Sequence, residues 1–583
     1  MLLMLLLQSS LIVPILLSFQ RHAVAQDVPF SPCPLLGPRF PIPDTLSTSP
    51  VIQEGLQNLT DALDQYILAG DGTFGEIFPN TTSFSLMIFS SENVNSTDPF
   101  FFEYHYTAPS LRNASSGVKK VDADSVYRVG DLTSMFTVWL FLMEAGETFW
   151  DEPVSKWVPE LASATQASES ISKIQWDKIT LGDLAAHLGG VGRYAPLAEN
   201  PDIAILLKGL SNTTQTSPCE EASSECNRAE FLSYFGRRSP VFASGSTPIF
   251  SNAGFLILAY ALESITGRAY VDLLNEAILK PLDMSSTTLL TPTDLSNAVI
   301  PSSSNLTRWS TPVPVEAPFN GLYSSPRDIS TALRSILRST NLPPAVTRRW
   351  LKPLSYTSNR ANAVGRPWEI FSLTETPISP VIPVFQVRGN VGYYTSHIGL
   401  VPDYNVGFVI MAADSARNPD LNAHADIISV QMIPALEKNA VAQASNVFAG
   451  TYTSRSDMSL TIAQAEDSSP GLSVSRLVEG GRDLRAVYAK LAGVEPDNLS
   501  FRLYPTDLVE GSAQGKKMVF RASFQDVTAL ADAGTPTCET WRYIDEFQVG
   551  GEPLDRFVFE VNASGAVQVE VAAFGETMLK LPG

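Results

Sequence analysis

Basic residues, histidine and cysteine are scarce in this 583-residue chain: 40 lysines and arginines face 60 acidic residues, with five histidines and four cysteines, for a formal charge of −20. That balance excludes nucleic acid and anionic membrane surfaces as partners, because both are held by clustered Lys and Arg. The histidines lie far apart and no C-x-x-C or His-Cys cluster occurs, so neither a metal site nor a cofactor is expected. Beyond Leu17 no long uncharged apolar run appears, so no stable membrane anchor is expected in the mature chain.

The apolar residues at the N-terminus tell a different story. Met1 to Leu17 is almost uncharged, Arg21 and His22 follow, and Ala23-Val24-Ala25 offers a small-residue cleavage site. This reads as a secretory signal peptide over 1–25, with the mature chain starting at Gln26. Gln8, Ser9, Ser10 and Pro14 interrupt the run too often for a bilayer span. Eight N-x-S/T sequons, at Asn58, Asn80, Asn95, Asn113, Asn212, Asn305, Asn498 and Asn562, fit an exported glycoprotein, extracellular or cell-wall associated. An even cysteine count fits an oxidising compartment. Cys219 and Cys226 close a short polar loop and are expected to pair, which leaves Cys33 and Cys538 to each other by subtraction.

Hydrophobic periodicity predicts a Pro-rich lead over 26–50, a mixed domain over 51–440 and a β-rich domain over 446–583. Leu56 to Leu68 reads as an amphipathic helix, and Ser83 to Phe89 and Phe100 to Tyr106 as strands. After Val126 to Val129 comes an apolar helix whose buried stripe is Leu132, Met135, Phe136, Trp139, Leu140 and Met143. Far downstream, Val381 to Val387, His397 to Val401 and Gly407 to Ala412 read as strands and Ile427 to Leu436 as a helix. Strands at both ends of a helical middle imply an α+β domain whose antiparallel sheet is completed late in the chain. From Asn446 onward, segments such as Tyr452 to Ile462, Met518 to Phe524 and Phe557 to Val561 imply an antiparallel β module.

Several strings in order carry a resemblance: Tyr127-Arg128-Val129-Gly130, Ile179 to Leu184, His187 to Gly190, Ser251 to Gly254, Lys280 to Met284, Gly321 to Asp328 and Val401 to Tyr404. Together they resemble the serine β-lactamase and penicillin-binding-protein superfamily, of the class C β-lactamase and esterase type, in particular the large secreted fungal β-lactamase-like proteins. The resemblance implies a β-lactamase/transpeptidase-like domain, an antiparallel sheet flanked by a helical region, followed by a β-rich appendage.

It also implies chemistry that the residues do not supply. The family's S-x-x-K puts a nucleophilic serine and a proton-accepting lysine one helical turn apart on one face. The matching positions here are Asp131 and Ser134. The family's Tyr-x-Asn reads Phe250-Ser251-Asn252, so the relay phenol is absent while the amide remains. Its Lys-Thr-Gly falls at Val387-Arg388-Gly389; a cation moved by one residue to Arg388 points to the opposite strand face unless a bulge intervenes. Two literal S-x-x-K strings, Ser116 to Lys119 and Ser170 to Lys173, lie in polar connecting sequence without a following apolar helix.

Two readings stand side by side. In the structural one Asp131 is an N-cap residue favoured by the helix dipole, and the loss of a desolvated lysine relaxes the site toward stability. In the functional one Asp131 is a base acting on a small acyl- or secondary-metabolite-like molecule, with Ser134, Asn252, Arg388, Gly389, Tyr394 and His397 around it; the helix dipole suits a base rather than an acid. Conventional hydrolysis through another serine is a third possibility. His187 reads as a packed helix-end residue, and Arg327 and Asp328 as a helix-start, loop-fixing pair.

Overall fold

The computed structural model describes residues 30–43, 46–91, 100–164, 171–194, 226–303, 307–311, 315–373, 381–463, 469–513, 515–529 and 537–582. Two compact units emerge, one built from 41–373 and 381–443, the other from the N-terminal residues up to Phe40 with 444–583.

In the first unit, Ser49 accepts a hydrogen bond from the Ile52 amide and Pro50 occupies the first helical position, starting helix α1 (Pro50–Ala69) six residues before the apolar repeat at Leu56. Strands β1 (Thr82–Ser90) and β2 (Phe100–Tyr106) follow, then helices α2 (Thr133–Glu144), α3 (Leu181–Ala185), α4 (Asn252–Thr266) and α5 (Pro326–Arg338). The later strands are β3 (Ser355–Tyr356), β4 (Asn362–Val364), β5 (Glu369–Leu373), β6 (Ile382–Val391), β7 (Tyr394–Val401) and β8 (Val406–Asp414). They form one sheet in the order β2-β1-β8-β7-β6-β5-β4-β3, antiparallel throughout. The late closure anticipated from sequence is the pairing of β8 with β1, from Val406↔Ser90 to Asp414↔Thr82.

All nine residues of β1 and of β8 are buried, as expected of central strands covered on both faces. Phe84 of β1 meets the edge of His424, on helix α6 (Asn422–Phe448), while its neighbour Ser85 bonds Tyr127. Alternation thus sends successive side chains into different layers. Helix α6 extends well beyond the Ile427–Leu436 segment read from sequence and carries Pro434 inside it.

The stripe expected on α2 is only part of its buried surface. Every residue from Thr133 to Leu142 is buried, so this helix is the centre of the helical layer rather than its amphipathic cover. Trp139 is 1% exposed, and truncating such a side chain costs about 3–5 kcal/mol.

Several motif strings are fold-making residues. Thr180 and Asp183 form a reciprocal capping box at the start of α3, with both bonds at 3.0 Å. Ser251 caps α4 by accepting from the Gly254 amide at 3.2 Å, and Ser325 caps α5 ahead of Pro326. Asp328 accepts from the Ser286 amide and the Thr287 hydroxyl, whereas Arg327 pairs with Asp124. They fix two loops separately rather than acting as one pair.

The second unit is a β domain: β9 (Gly450–Thr453), β10 (Met458–Ile462), β11 (Leu472–Glu479), β12 (Arg482–Asp483), helix α7 (Leu484–Leu491), β13 (Leu499–Ser512), β14 (Gly515–Asp526), β15 (Arg556–Asn562), β16 (Gly565–Val571) and β17 (Glu576–Lys580). The order is β10-β9-β17-β16-β15-β14-β13-β11-β12, and β10 also pairs with β11, closing a barrel. Tyr452 to Ile462 is therefore a hairpin, turning at Asp457 with φ +64°, and not a single segment. Phe448, Phe520 and Phe559 pack edge to face in its core, with centroids 5.2–5.3 Å apart.

The Cys33–Cys538 bridge is present within this unit. Cys226 is disulfide-bonded too, while Cys219 lies outside the described residues. Of the sequons, Asn58, Asn80 and Asn113 are exposed and Asn498 and Asn562 half-buried; Asn95, Asn212 and Asn305 lie outside the described residues. No helix among the described residues is long and apolar enough to cross a membrane.

Candidate functional site

The turn carrying Asp131 is pressed against strand β6. Gly130 has φ +68°, and a Cβ on it would meet Asn390 backbone atoms at 2.6–2.9 Å. A Cβ on Gly389 would lie 2.2 Å from the Val129 oxygen and 2.6 Å from the Leu132 nitrogen. Two glycines thus allow backbone to touch backbone at the junction of turn and strand. Ser396 of β7 locks it, its hydroxyl donating to the Val129 carbonyl at 2.7 Å.

Asp131 lies in a 3-10 turn, Gly130–Leu132, ahead of α2. The capping position of α2 belongs to Leu132, with no side-chain capping bond, so the N-cap explanation of Asp131 does not hold. Thr133 takes over the local backbone bonding by donating to the Gly130 carbonyl at 2.7 Å. Asp131 is half-buried and lines an open concavity of about 320 Å³.

Phe250 lines the same concavity, clasped from two sides. Arg193 lies over its ring at 4.5 Å and His187 stacks on it at 5.2 Å. The backbone sets this up, because the Ile249 amide donates to the His187 carbonyl at 2.8 Å. His187 is buried, packs edge-on to Phe255, and burial holds its pKa down to about 4. That is the packed helix-end role read from sequence. Arg193 makes no ion pair among the described residues and is a lining residue that sequence reasoning missed.

On β6 the alternation is regular. Val387 and Gly389 are buried while Arg388 is exposed, and the β6–β7 register runs without a shift from Phe385↔Leu400 to Val391↔Tyr394. No bulge returns Arg388 to the face of Val387. It lines the concavity from the other face, engaged by Glu369 at 2.7 Å. His397, cross-strand from Arg388, also lines it; its Nε2 bonds Gln386 at 2.9 Å, its Nδ1 has no partner among the described residues, and burial, with Arg388 and His424 adding to it, pushes its pKa down to about 3. Thr395, Asn390 and Asn418 complete a polar wall, with Thr395 donating to Asn390 at 2.9 Å.

Four proposed site residues stand elsewhere. Ser134 is 3% exposed within α2 and does not line the concavity. Asn252 clamps the backbone of Tyr194, accepting from its amide and donating to its carbonyl, each at 2.8 Å. Tyr394 is fully buried and donates to the Val299 carbonyl at 2.7 Å. Gly389 serves the close approach rather than a ligand. Of the stray S-x-x-K strings, Ser116 lies in a bend and Lys119 donates to the Ala114 carbonyl; Ser170 lies outside the described residues. Among the described residues no group of three metal-ligating side chains comes together.

The family described as "Beta-lactamase" matches residues 102–431, and that described as "Beta-lactamase-like-like, C-terminal domain" matches residues 440–581. A "Beta-lactamase-like protein" of Arthroderma benhamiae is 28% identical, covering 96% of this chain and 97% of its own length. "Probable hydrolase M10" of a Phoma species is 26% identical over 86% of this chain and 87% of its own. The crystal structure of a β-lactamase/D-alanine carboxypeptidase from Yersinia pestis aligns with TM-score 0.47 at 16% identity, covering 65% of this chain and 98% of that one. With the match to the first of these families spanning more than half its length, the chain belongs to the β-lactamase family.

Proposed function

We propose that this protein is exported and glycosylated, and that the concavity at Asp131 holds a small acyl- or secondary-metabolite-like molecule with an anionic end, without forming an acyl-enzyme. The observation that carries this reading is the occupancy of the three reactive positions. Asp131 stands for the nucleophile, buried Ser134 for the amine, and Phe250, clasped by Arg193 and His187, for the phenol. No activated hydroxyl is present among them.

Arg193 supports the choice of an anionic end, since the other lining arginine, Arg388, is already paired with Glu369. A hydrolase working through another serine is disfavoured. Among the described residues Ser396 is the one serine lining the concavity, and its hydroxyl is committed to the Val129 carbonyl. A second reading, Asp131 as the base of an isomerisation, cyclisation or hydrolysis, gains from its not being a capping residue.

Thermal-shift screening tests the binding reading: medium-chain acyl carboxylates stabilise the native protein, the matching amides do not, and Arg193→Ala removes the difference. Equal stabilisation by both classes overturns the anionic assignment. Turnover that vanishes in Asp131→Asn with the fold intact moves the second reading to first place.

A further inference from the structure

We infer that the C-terminal β domain carries its own binding site, for a neutral, largely aromatic molecule bearing one hydroxyl or carbonyl. A cavity of about 300 Å³ lies within this domain, at the lower end of the range of about 300–1,000 Å³ found for small-molecule pockets. The end of α7 supplies Tyr488 and Leu491, β14 supplies Ser523 and Phe524, and the segment after the disulfide supplies Tyr543 and Phe547. Its walls are thus chiefly aromatic and aliphatic, in contrast to the polar concavity at Asp131.

Two observations point to a ligand. Ser523 is 5% exposed and its hydroxyl has no hydrogen-bond partner among the described residues, although it lines this cavity; a buried hydroxyl is ordinarily paired, and a bound hydroxyl or carbonyl supplies what it lacks. The second is the mouth. Tyr543 is 56% exposed and the neighbouring Trp541 67%, both on the Thr540–Tyr543 turn. That turn is anchored, because Thr540 donates to the Cys33 carbonyl at 2.9 Å and Cys33 is bridged to Cys538. Large aromatics held in water on a fastened turn are a preorganised surface for stacking. No Lys, Arg or His is among the residues lining this cavity, so nothing there offsets the carboxylates Glu546 and Asp555 to hold an anion, and Asp555 is already satisfied by Arg521 at 2.6 Å.

The neutral fluorophore N-phenyl-1-naphthylamine serves as probe on the full secreted chain. One saturable site per chain is expected, and 1-naphthol displaces the probe at a concentration several-fold lower than naphthalene does. Ser523→Ala keeps probe binding and cuts the 1-naphthol advantage to less than twofold. Ala492→Trp, at an exposed position on the cavity mouth, weakens the probe at least tenfold without unfolding the domain. The absence of saturable binding, or probe binding unchanged in Ala492→Trp, overturns the site. A 1-naphthol advantage that survives in Ser523→Ala overturns the assignment of the polar contact, and loss of the probe in Arg193→Ala places it in the other domain.

Discussion

Arg193 lies over Phe250, its guanidinium carbon 4.5 Å from the centroid of a ring that stands where the family carries a tyrosine. A phenyl ring gains from such a cation where a phenol has a proton relay to run. The contact therefore sets a cation over the ring that stands where the family has its phenol.

The first prediction follows from that contact. Penicillin and fluorophosphonate probes leave no mass adduct on the native protein. Asp131→Ser, Ser134→Lys and Phe250→Tyr combined restore only slow labelling at residue 131, and adding Arg193→Ala to the three speeds it, because the cation no longer covers the ring. Single reversions stay unlabelled, since groups acting as a unit are strongly non-additive. The triple variant is also less stable by about 1–3 kcal/mol, as its lysine enters a site only 3% exposed. Peptide mass spectrometry reads the labelling; stoichiometric modification of any serine in the native protein contradicts it.

Gly389→Ala tests the junction between the Asp131 turn and β6. The added methyl meets backbone on the turn at 2.2 and 2.6 Å, where no side chain can swing aside. A loss of about 2 kcal/mol or more is expected in urea unfolding. Gly511→Ala, with nothing within 4 Å of its Cβ, stays within about 0.5 kcal/mol of the parent. Equal effects from the two substitutions refute the close-packing account.

Acid should weaken the first unit through its buried imidazoles. Burial holds His187 and His424 down to about 4 and His397 to about 3, against about 6.5 in an unfolded chain. Between those limits the unfolded state binds more protons than the folded one. Stability is thus complete above about pH 6.5 and falls as pH drops toward the folded values, by up to about 1.4 kcal/mol per pH unit for each histidine. Urea midpoints at pH 7 and pH 5 measure the slope. His424→Phe, which keeps the edge contact with Phe84, reduces it; an unchanged slope in that variant sinks the explanation.

Removing the Cys33–Cys538 bridge by paired serine substitutions destabilises the β domain by about 2–5 kcal/mol in chemical unfolding. The Thr540–Tyr543 turn loses its covalent anchor, so limited proteolysis next to Trp541 accelerates. Unaltered cleavage there refutes the anchoring role.

Much of the fold was readable because alternation and capping chemistry are local. Phe100 to Tyr106 emerged with its predicted bounds, and Thr180 with Asp183 is a capping box whose spacing is visible in the sequence. The site was less readable. Tyr394 is adjacent to the lining residues Thr395, Ser396 and His397, yet it is fully buried and spends its hydroxyl on the Val299 carbonyl, a contact from another part of the chain that the strand pattern does not encode. Asn252 had a motif's signature but spends its amide on the Tyr194 backbone, a long-range contact that no periodicity encodes. Arg193 had no signal at all, because a loop following two glycines brings it to Phe250.

The bridge between Cys33 and Cys538 spans 505 positions of the sequence. The chain from Cys33 to Cys538 is therefore a covalent ring. A single peptide-bond cut at any point between the two sulfurs opens that ring without releasing a fragment. Such a nicked molecule keeps its full mass and shows its cut on a denaturing gel only after reduction. Wherever proteases are met, one scission within the ring leaves both domains joined through sulfur.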